Sequence, residues 1–130
     1  MLTLPSSVKM YVATQACDGR KGIDGLAALV RSTLQLDPLS GQMFVFFSRR
    51  WDRARILYFS PNGYWLLNKR LERGRFRVPW VAGDRMASRP IESTELMLIL
   101  EGIDLRDARH RPRWTPRADR EKKSTELRRL

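Results

Sequence analysis

The sequence predicts an α+β fold, in which an antiparallel sheet of about four strands (a meander) carries two helices packed on one face. Three observations support this prediction. One segment alternates in polarity, three β-rich segments follow one another with short links, and two segments have apolar residues at helical spacing. A chain of 130 residues buries about two-thirds of its unfolded surface. We therefore expect a single α+β domain over residues 1–105, followed by a basic tail over residues 106–130.

The first strand and the first helix are predicted near the N-terminus. Apolar residues alternate with Lys9 and Tyr11 over residues 8–14, which is the period of a strand. The segment DGRKGIDG then has the composition of a turn, and leucine and valine recur at helical spacing over residues 26–36. Asp24 precedes this helix, and its carboxylate is predicted to cap the first turn by accepting a hydrogen bond.

Three further strands are predicted at Met43–Phe47, Arg55–Phe59 and Tyr64–Lys69, each of them rich in apolar residues. The last two strands are separated by a segment that contains Asn62-Gly63, a pair that supplies the positive φ angles of a tight hairpin turn. Because the links are short, the three strands are predicted to form an antiparallel meander.

A second helix is predicted from the segment STELMLILEG, residues 93–102. Ser93 or Thr94 is expected to cap its start, and Gly102 is expected to end it. The preceding residues 81–90 are predicted to be an irregular connection.

The charge of the chain is high and unevenly distributed. It has 25 Lys and Arg and 14 Asp and Glu residues, a formal net charge of +11. Residues 49–77 carry a net charge of +7 and residues 106–130 a net charge of +6. A surplus of this size predicts an anionic partner, such as nucleic acid, an acidic protein or membrane headgroups. The second block has two prolines and few large apolar residues, so it is predicted to be a disordered tail.

The sequence favours a cytoplasmic protein. Its longest apolar run, Leu96–Leu100, is far shorter than the roughly 20 residues that span a bilayer. The N-terminal residues lack the pattern of a secretory signal, and the single Cys17 excludes an internal disulfide. A reducing cytoplasm is therefore expected.

Few residues suit catalysis or metal binding. A zinc site needs clustered cysteine and histidine, whereas this chain has only Cys17 and His110. Asp18, Asp24 and Asp52 are candidates for a magnesium site, but a turn residue, a helix cap and an arginine partner are the simpler interpretations. We therefore predict no metal, no cofactor and no catalytic site.

The first basic block is predicted to bind the DNA backbone. Dense like charges repel one another unless a ligand neutralises them, and the neighbouring aromatic residues suit stacking on bases. The alternative interpretation is that the aromatic residues belong to the core and the arginines form a solvated face. The predicted DNA-binding residues are Arg49, Arg50, Arg53, Lys69, Arg70, Arg73, Arg75 and Arg77. Arg20 and Lys21, in the turn before the first helix, are a second candidate phosphate contact.

Three separated motifs resemble a known family. They are DGRKGIDGLAALV at residues 18–30, FVFFSRRWDRARILYFSPNGYWLLNKRLERGRF at residues 44–76, and LILEGIDL at residues 98–105. In this order they resemble the accessory protein, Orf2 or TnpB, of the bacterial insertion-sequence family sixty-six, over about residues 5–105.

The resemblance implies an accessory role in transposition, beside a separate DDE-type transposase that carries the catalytic carboxylates. It carries over no catalytic residue. The direct partner of the basic face is then DNA or, alternatively, an acidic surface of the transposase to which the protein docks as an adaptor. The residues that match the family pattern are Arg20, Lys21, Gly22, Asp24, Gly25, Arg49, Arg50, Asp52, Arg53, Lys69, Arg70, Leu71, Glu72, Arg73, Gly74 and Phe76.

Overall fold

The computed structural model describes residues 8–80, 85–104 and 109–110 of the chain. The helices are Ile23–Ser32 (α1) and Ser93–Leu100 (α2). The strands are Met10–Ala13 (β1), Met43–Phe47 (β2), Arg53–Ser60 (β3), Gly63–Arg70 (β4), Ser88–Ile91 (β5), Ile103–Asp104 (β6) and Arg109–His110 (β7).

The main sheet has five strands in the order β4-β3-β2-β1-β5 and is mixed. The β2, β3 and β4 strands form the predicted antiparallel meander, which is confirmed. The prediction of a purely antiparallel sheet is wrong, because β1 and β2 are parallel. Parallel neighbours need a long crossover, usually a helix, and residues 14–42 supply one that contains α1.

The fifth strand, β5, lies largely within residues 81–90, which are predicted to be irregular, and ends at Ile91. It pairs antiparallel with β1 at one edge of the sheet. Pro90 obscured it in the sequence, since proline lacks the N–H that a central strand needs. An edge strand tolerates proline.

The two helices lie on opposite faces of the sheet, so the prediction of both helices on one face is wrong. Met43, Val45 and Phe47 of β2 belong to the core cluster of α2, which contains Leu96 and Ile99. Phe44 and Phe46 belong to the core cluster of α1, which contains Leu26 and Val30. All five residues of β2 are buried, as expected for a strand that is covered on both faces.

The hairpin between β3 and β4 is confirmed, with a shift of one residue in its turn. Ser60 pairs with Gly63, so Pro61 and Asn62 form the two-residue connection. Asn62 has a φ of 74°, a left-handed conformation that asparagine tolerates better than most residues.

The start of α1 differs from the prediction. The N-cap is Gly22, and Asp24 lies inside the first turn instead of capping it. The helix begins earlier than the leucine pattern indicated, since Ile23 is its first residue. A carboxylate at Asp24 still interacts favourably with the positive end of the helix dipole.

The start of α2 also uses a different residue. Glu92 is the N-cap and forms a capping box with Glu95, so the predicted capping by Ser93 or Thr94 is wrong. The predicted end of the helix is confirmed, because Gly102 follows the C-cap with a φ of 89°.

A second, two-stranded sheet is formed by β6 and β7, in which Ile103 pairs with His110. The predicted tail begins at residue 106 and, apart from residues 109–110, lies outside the described residues. Within the described ranges, neither helix has the length and apolar content needed to cross a bilayer.

Candidate nucleic-acid interface

Three connections of the chain meet at one end of the main sheet, the end at which β1 and β2 finish. Because of the strand directions, β3 and β5 begin there and β4 ends there. The connections are residues 14–22, 48–52 and 71–87, the last of which is described over residues 71–80 and 85–87. We call these connections, together with the adjoining ends of the strands, the basic end.

The basic end contains all of the predicted cationic residues. They are Arg20, Lys21, Arg49, Arg50, Arg53, Lys69, Arg70, Arg73, Arg75 and Arg77, of which all but the half-buried Arg53 are exposed. The acidic residues in the described parts of these connections are Asp18, Asp52 and Glu72. Cations therefore outnumber acids strongly in this region, although their positions along the chain are far apart.

The turn between β2 and β3 is fixed by hydrogen bonds around Ser48. Its hydroxyl donates to Asp52 Oδ1 at 3.0 Å and accepts from Arg53 N at 3.1 Å. Trp51 N donates to Ser48 O at 2.8 Å, and Trp51 has a φ of 59°. This ordered turn presents the exposed Arg49 and Arg50 to solvent.

The segment after β4 is anchored on that turn. Leu71 N donates to Asp52 O at 2.7 Å, and Phe76 N donates to Trp51 O at 2.6 Å. The chain reverses at Gly74, whose φ is 80°, and the Phe76 ring is buried against the Phe47 ring at a centroid distance of 5.5 Å. A buried aromatic anchor thus holds an arginine-rich loop whose cationic residues are exposed. Arg73 and Arg75 have interaction partners of their own.

The glycine-rich loop before α1 is held by a buried arginine. Arg55, on β3, is only 9% exposed, and its Nη1 donates to the carbonyl oxygens of Lys21 and, at 3.4 Å, Gly19. Cys17 N also donates to Phe47 O at 2.9 Å. These bonds join the loop to the neighbouring strands and fix its position beside the turn after β2.

Arg20 and Lys21 differ in their electrostatic surroundings. The side chain of Arg20 binds Asp18 through Nε–Oδ1 and Nη2–Oδ2 contacts of 3.2 and 3.1 Å. These hydrogen bonds lower the pKa of Asp18 to about 2 and raise the pKa of Arg20. Lys21 is exposed and has no ion pair with a described acidic residue.

The cations of β4 do not lie on a single face of the sheet. Lys69 is two residues after Leu67 in β4, so it lies on the same face of the sheet, the face covered by α2. Its Nζ donates to Leu100 O at 2.7 Å. This contact places a positive charge on a carbonyl at the end of α2, where the helix dipole is negative. Arg70 lies on the opposite face, like Leu66. Lys69 therefore has a structural role in addition to any role in binding.

The aromatic residues near the cations belong mainly to the core. Phe76 and Trp80 are buried, and Trp51 stacks on Phe47 at a centroid distance of 5.4 Å. Trp65 is 54% exposed, but it lies near the β3–β4 hairpin, at the other end of the sheet. Within the described residues, the geometry supports phosphate contacts at the basic end better than base stacking.

The three candidate aspartates have separate surroundings. Asp18 binds Arg20, Asp52 accepts from Ser48, and Asp24 is exposed in the first turn of α1. Among the residues that the structure describes, no group of three His, Cys, Asp or Glu side chains is placed to hold a metal ion.

Two residues of the basic end were not identified as functional candidates from the sequence. Arg55 occurs within an apolar strand, and a charged residue in such a run is itself a signal of a specific partner. Arg85 precedes β5 at the basic end, and its position depends on a strand that the sequence pattern did not indicate.

Comparison with known proteins identifies relatives along most of the chain. A family model described as IS66 Orf2 like protein matches residues 8–110. Two curated proteins of Sinorhizobium fredii (strain NBRC 101917 / NGR234) are similar. The uncharacterized protein y4jC is 38% identical over 105 residues, which are 81% of this chain and 87% of the relative. The uncharacterized protein y4hO is 35% identical over 116 residues, which are 89% of this chain and 96% of the relative. No solved structure matches the chain.

Proposed function

Because this chain belongs to the family of IS66 Orf2-like proteins, we propose that it assists a separate transposase by binding the DNA backbone through the basic end. The family has an accessory role in transposition of insertion sequences. In this proposal the chain catalyses no step itself, and strand breakage and joining belong to the transposase. It acts in the cytoplasm, where the element and its transposase meet.

The observation that carries the proposal is the convergence of cations from separate connections. Arg49 and Arg50 extend from one ordered turn, and the arginine-rich loop after β4 is anchored beside them through Phe76. DNA presents one phosphate charge per roughly 1.7 Å of its axis, so a cluster of exposed guanidinium groups on a rigid support suits it. The rigid support lowers the entropy lost on binding.

The contacts are expected to position DNA without reading its sequence. Sequence readout in the major groove requires a helix or a two-stranded ribbon that enters the groove. The described parts of the basic end are loops and turns, and α1 packs on the sheet through Leu26 and Val30. Phosphate contacts fix register and orientation alone, so binding is expected to be only mildly sequence-selective.

The alternative function is an adaptor that docks an acidic surface of the transposase through the same cations. One observation, at the other end of the sheet from these cations, favours a further contact with a protein. Trp65 is 54% exposed on the edge strand β4 and stacks on Tyr58 at a centroid distance of 6.3 Å. Exposed aromatic residues and open strand edges are both features of protein interfaces.

Two double variants with the same loss of charge test the proposal. Arg49→Gln with Arg50→Gln removes two exposed cations from the basic end. Lys9→Gln with Arg31→Gln removes two exposed cations from the start of β1 and the last turn of α1, outside the connections of the basic end. Each protein is titrated separately with terminal-repeat DNA, random duplex and transposase.

We expect the basic-end variant to bind both duplexes more weakly, and its plot of log affinity against log salt to be flatter by about one unit per lost contact. The control variant should keep most of the affinity of the natural protein. If both variants bound DNA equally well and only the basic-end variant lost the transposase, the DNA proposal would be wrong and the adaptor would replace it.

A further inference from the structure

A cavity of about 340 Å³ opens at the basic end. It lies where the loop after β1, the turn after β2, the last turn of α1 and the segment before β5 come together. Its volume is within the range of about 300–1,000 Å³ that is typical of small-molecule sites.

The walls of the cavity are fixed to one another. Thr14 N donates to Ala87 O at 3.1 Å, and the Thr14 hydroxyl donates to Met86 O at 2.5 Å. On the other side, Cys17 N donates to Phe47 O. The connections that surround the cavity therefore form a pre-organised site.

Three cations from three separate segments line the cavity: Lys21, Arg49 and Arg85. No ion pair joins any of the three to a carboxylate of the described residues. Asp18 also lines the cavity, but its charge is matched by Arg20.

The buried Arg55 adds a further positive charge behind the loop. It donates to backbone carbonyls and has no ion pair with a described acidic residue. The cavity is therefore strongly electropositive.

The rest of the lining is largely apolar and includes Leu29, Phe46 and Ala87. A bare inorganic anion would leave this apolar surface unused. A ligand that joins a phosphate to a ring system would contact both the cations and the apolar lining.

We infer that the cavity binds a nucleoside monophosphate group, either as the phosphorylated end of a DNA strand or as a free nucleotide. If the ligand is a DNA end, the inference rests on the proposed function, because the exposed cations of the basic end would bind the DNA strand beside the cavity. Lys21, Arg49 and Arg85 bind the phosphate, and the apolar lining contacts the sugar and base.

Cys17 provides a direct measure of occupancy, since it lines the cavity and is the single cysteine of the chain. Burial raises the pKa of its thiol, although the nearby charges of Arg55 and Lys21 lower it in part. Alkylation of the full-length protein with N-ethylmaleimide is therefore followed at alkaline pH. The probes are deoxyadenosine monophosphate, inorganic phosphate, and a duplex whose single-stranded overhang ends in a 5′-phosphate or a 5′-hydroxyl.

We expect the nucleotide and the phosphorylated overhang to protect Cys17 from alkylation, whereas inorganic phosphate and the hydroxyl overhang protect it little. The phosphorylated overhang should bind about tenfold more tightly than its hydroxyl twin, the effect of one hydrogen bond to a charged group. Arg85→Gln removes one cation, and Ala87→Leu fills the cavity without changing charge. Arg85→Gln should reduce the difference between the overhangs and Ala87→Leu should abolish it, whereas Arg77→Gln, outside the cavity lining, should weaken the binding of both overhangs equally.

Protection by the phosphorylated overhang alone identifies the strand end as the ligand, and protection by the mononucleotide alone identifies a free nucleotide. Equal protection by inorganic phosphate, or none by either nucleotide probe, overturns the inference. The proposed function has a separate readout, because its failure would appear as the loss of salt-dependent binding to blunt, unphosphorylated duplex.

Discussion

Arg53 and Arg70 lie directly opposite each other in the β3–β4 pair, as the first residue of one strand and the last of the other. Their side chains leave the same face of the sheet. Arg70 Nη2 is 3.4 Å from Glu72 Oε1, an exposed contact that offsets little of the repulsion. Like charges in this arrangement destabilise a sheet, so the basic end gains its charge at the expense of folding stability.

Replacing one member of this pair should therefore raise stability and weaken DNA binding together. Arg53→Glu places opposite charges across the strands and should raise the free energy of unfolding by about 0.2–1 kcal/mol at low salt. Arg53→Gln, the control, removes the repulsion without adding an attraction. Its free energy of unfolding should therefore lie between those of the natural protein and of Arg53→Glu. Urea unfolding and DNA titration of the three proteins test this, and a Glu variant less stable than the Gln variant would contradict it.

The buried Arg55 should be required for the position of the glycine-rich loop. Arg55→Met keeps most of the side-chain volume but leaves the carbonyls of Gly19 and Lys21 without their donor, which should cost about 1–3 kcal/mol. Cys17, in the same loop, should then be alkylated faster. Arg31→Met, at an exposed site, should change stability by no more than about 0.5 kcal/mol. Equal stability of the two variants in urea would show that the Arg55 contacts contribute little.

The Asp18–Arg20 pair predicts a specific dependence on pH. Hydrogen bonds from Arg20 lower the pKa of Asp18 from its ordinary value of 3.8 to about 2. A lowered pKa in the folded state means that the pair stabilises the protein above pH 3.8, and that this contribution is lost as the pH falls toward 2. In a carbon-13 NMR titration, Arg20→Gln should return the Asp18 pKa toward 3.8. An unchanged pKa in that variant would exclude Arg20 as the cause.

The capping of α2 can be tested with neighbouring substitutions. Glu92→Ala removes the N-cap side chain of the capping box and should lower the free energy of unfolding by about 0.5–2 kcal/mol. Ser93→Ala, which changes the residue that the sequence suggested as the cap, should have an effect within about 0.5 kcal/mol. A larger loss for Ser93→Ala than for Glu92→Ala would show that the hydroxyl is the effective cap.

The salt dependence of DNA binding gives a count of phosphate contacts. If about six phosphates are neutralised, the affinity should fall roughly a thousandfold between about 50 and 200 mM salt. Fluorescence anisotropy with a random duplex measures this slope. A slope near zero would exclude backbone contact as the source of affinity.

Local patterns predicted the meander well and the rest of the sheet poorly. The bounds of β2, Met43–Phe47, agree with the sequence prediction because a compact aromatic run has one plausible extent. The same run gives no information about faces, since every residue in it is apolar. For that reason neither the parallel partner of β2 nor the placement of α1 and α2 on opposite faces followed from the pattern.

The candidate site likewise has residues that the sequence identifies and spatial relationships that it does not. The cations of the β2–β3 turn and of the loop after β4 were identifiable because they are dense in sequence. Their proximity to Lys21 and Arg85 depends on the strand order, which arises from long-range packing. The role of Lys69 at the end of α2 likewise required the position of that helix.

The strand order also determines when the protein can complete its fold during synthesis. The β2–β4 meander is built from neighbouring segments and can form as soon as residue 70 has left the ribosome. In contrast, β1 has both of its neighbouring strands only after it pairs with β5. This pairing joins residues that are far apart in sequence, such as Met10 and Ile91. Local contacts form quickly and distant ones slowly, so we expect the meander to be the folding nucleus. Although β1 is translated before the meander, it would then be among the last strands to gain both of its neighbours.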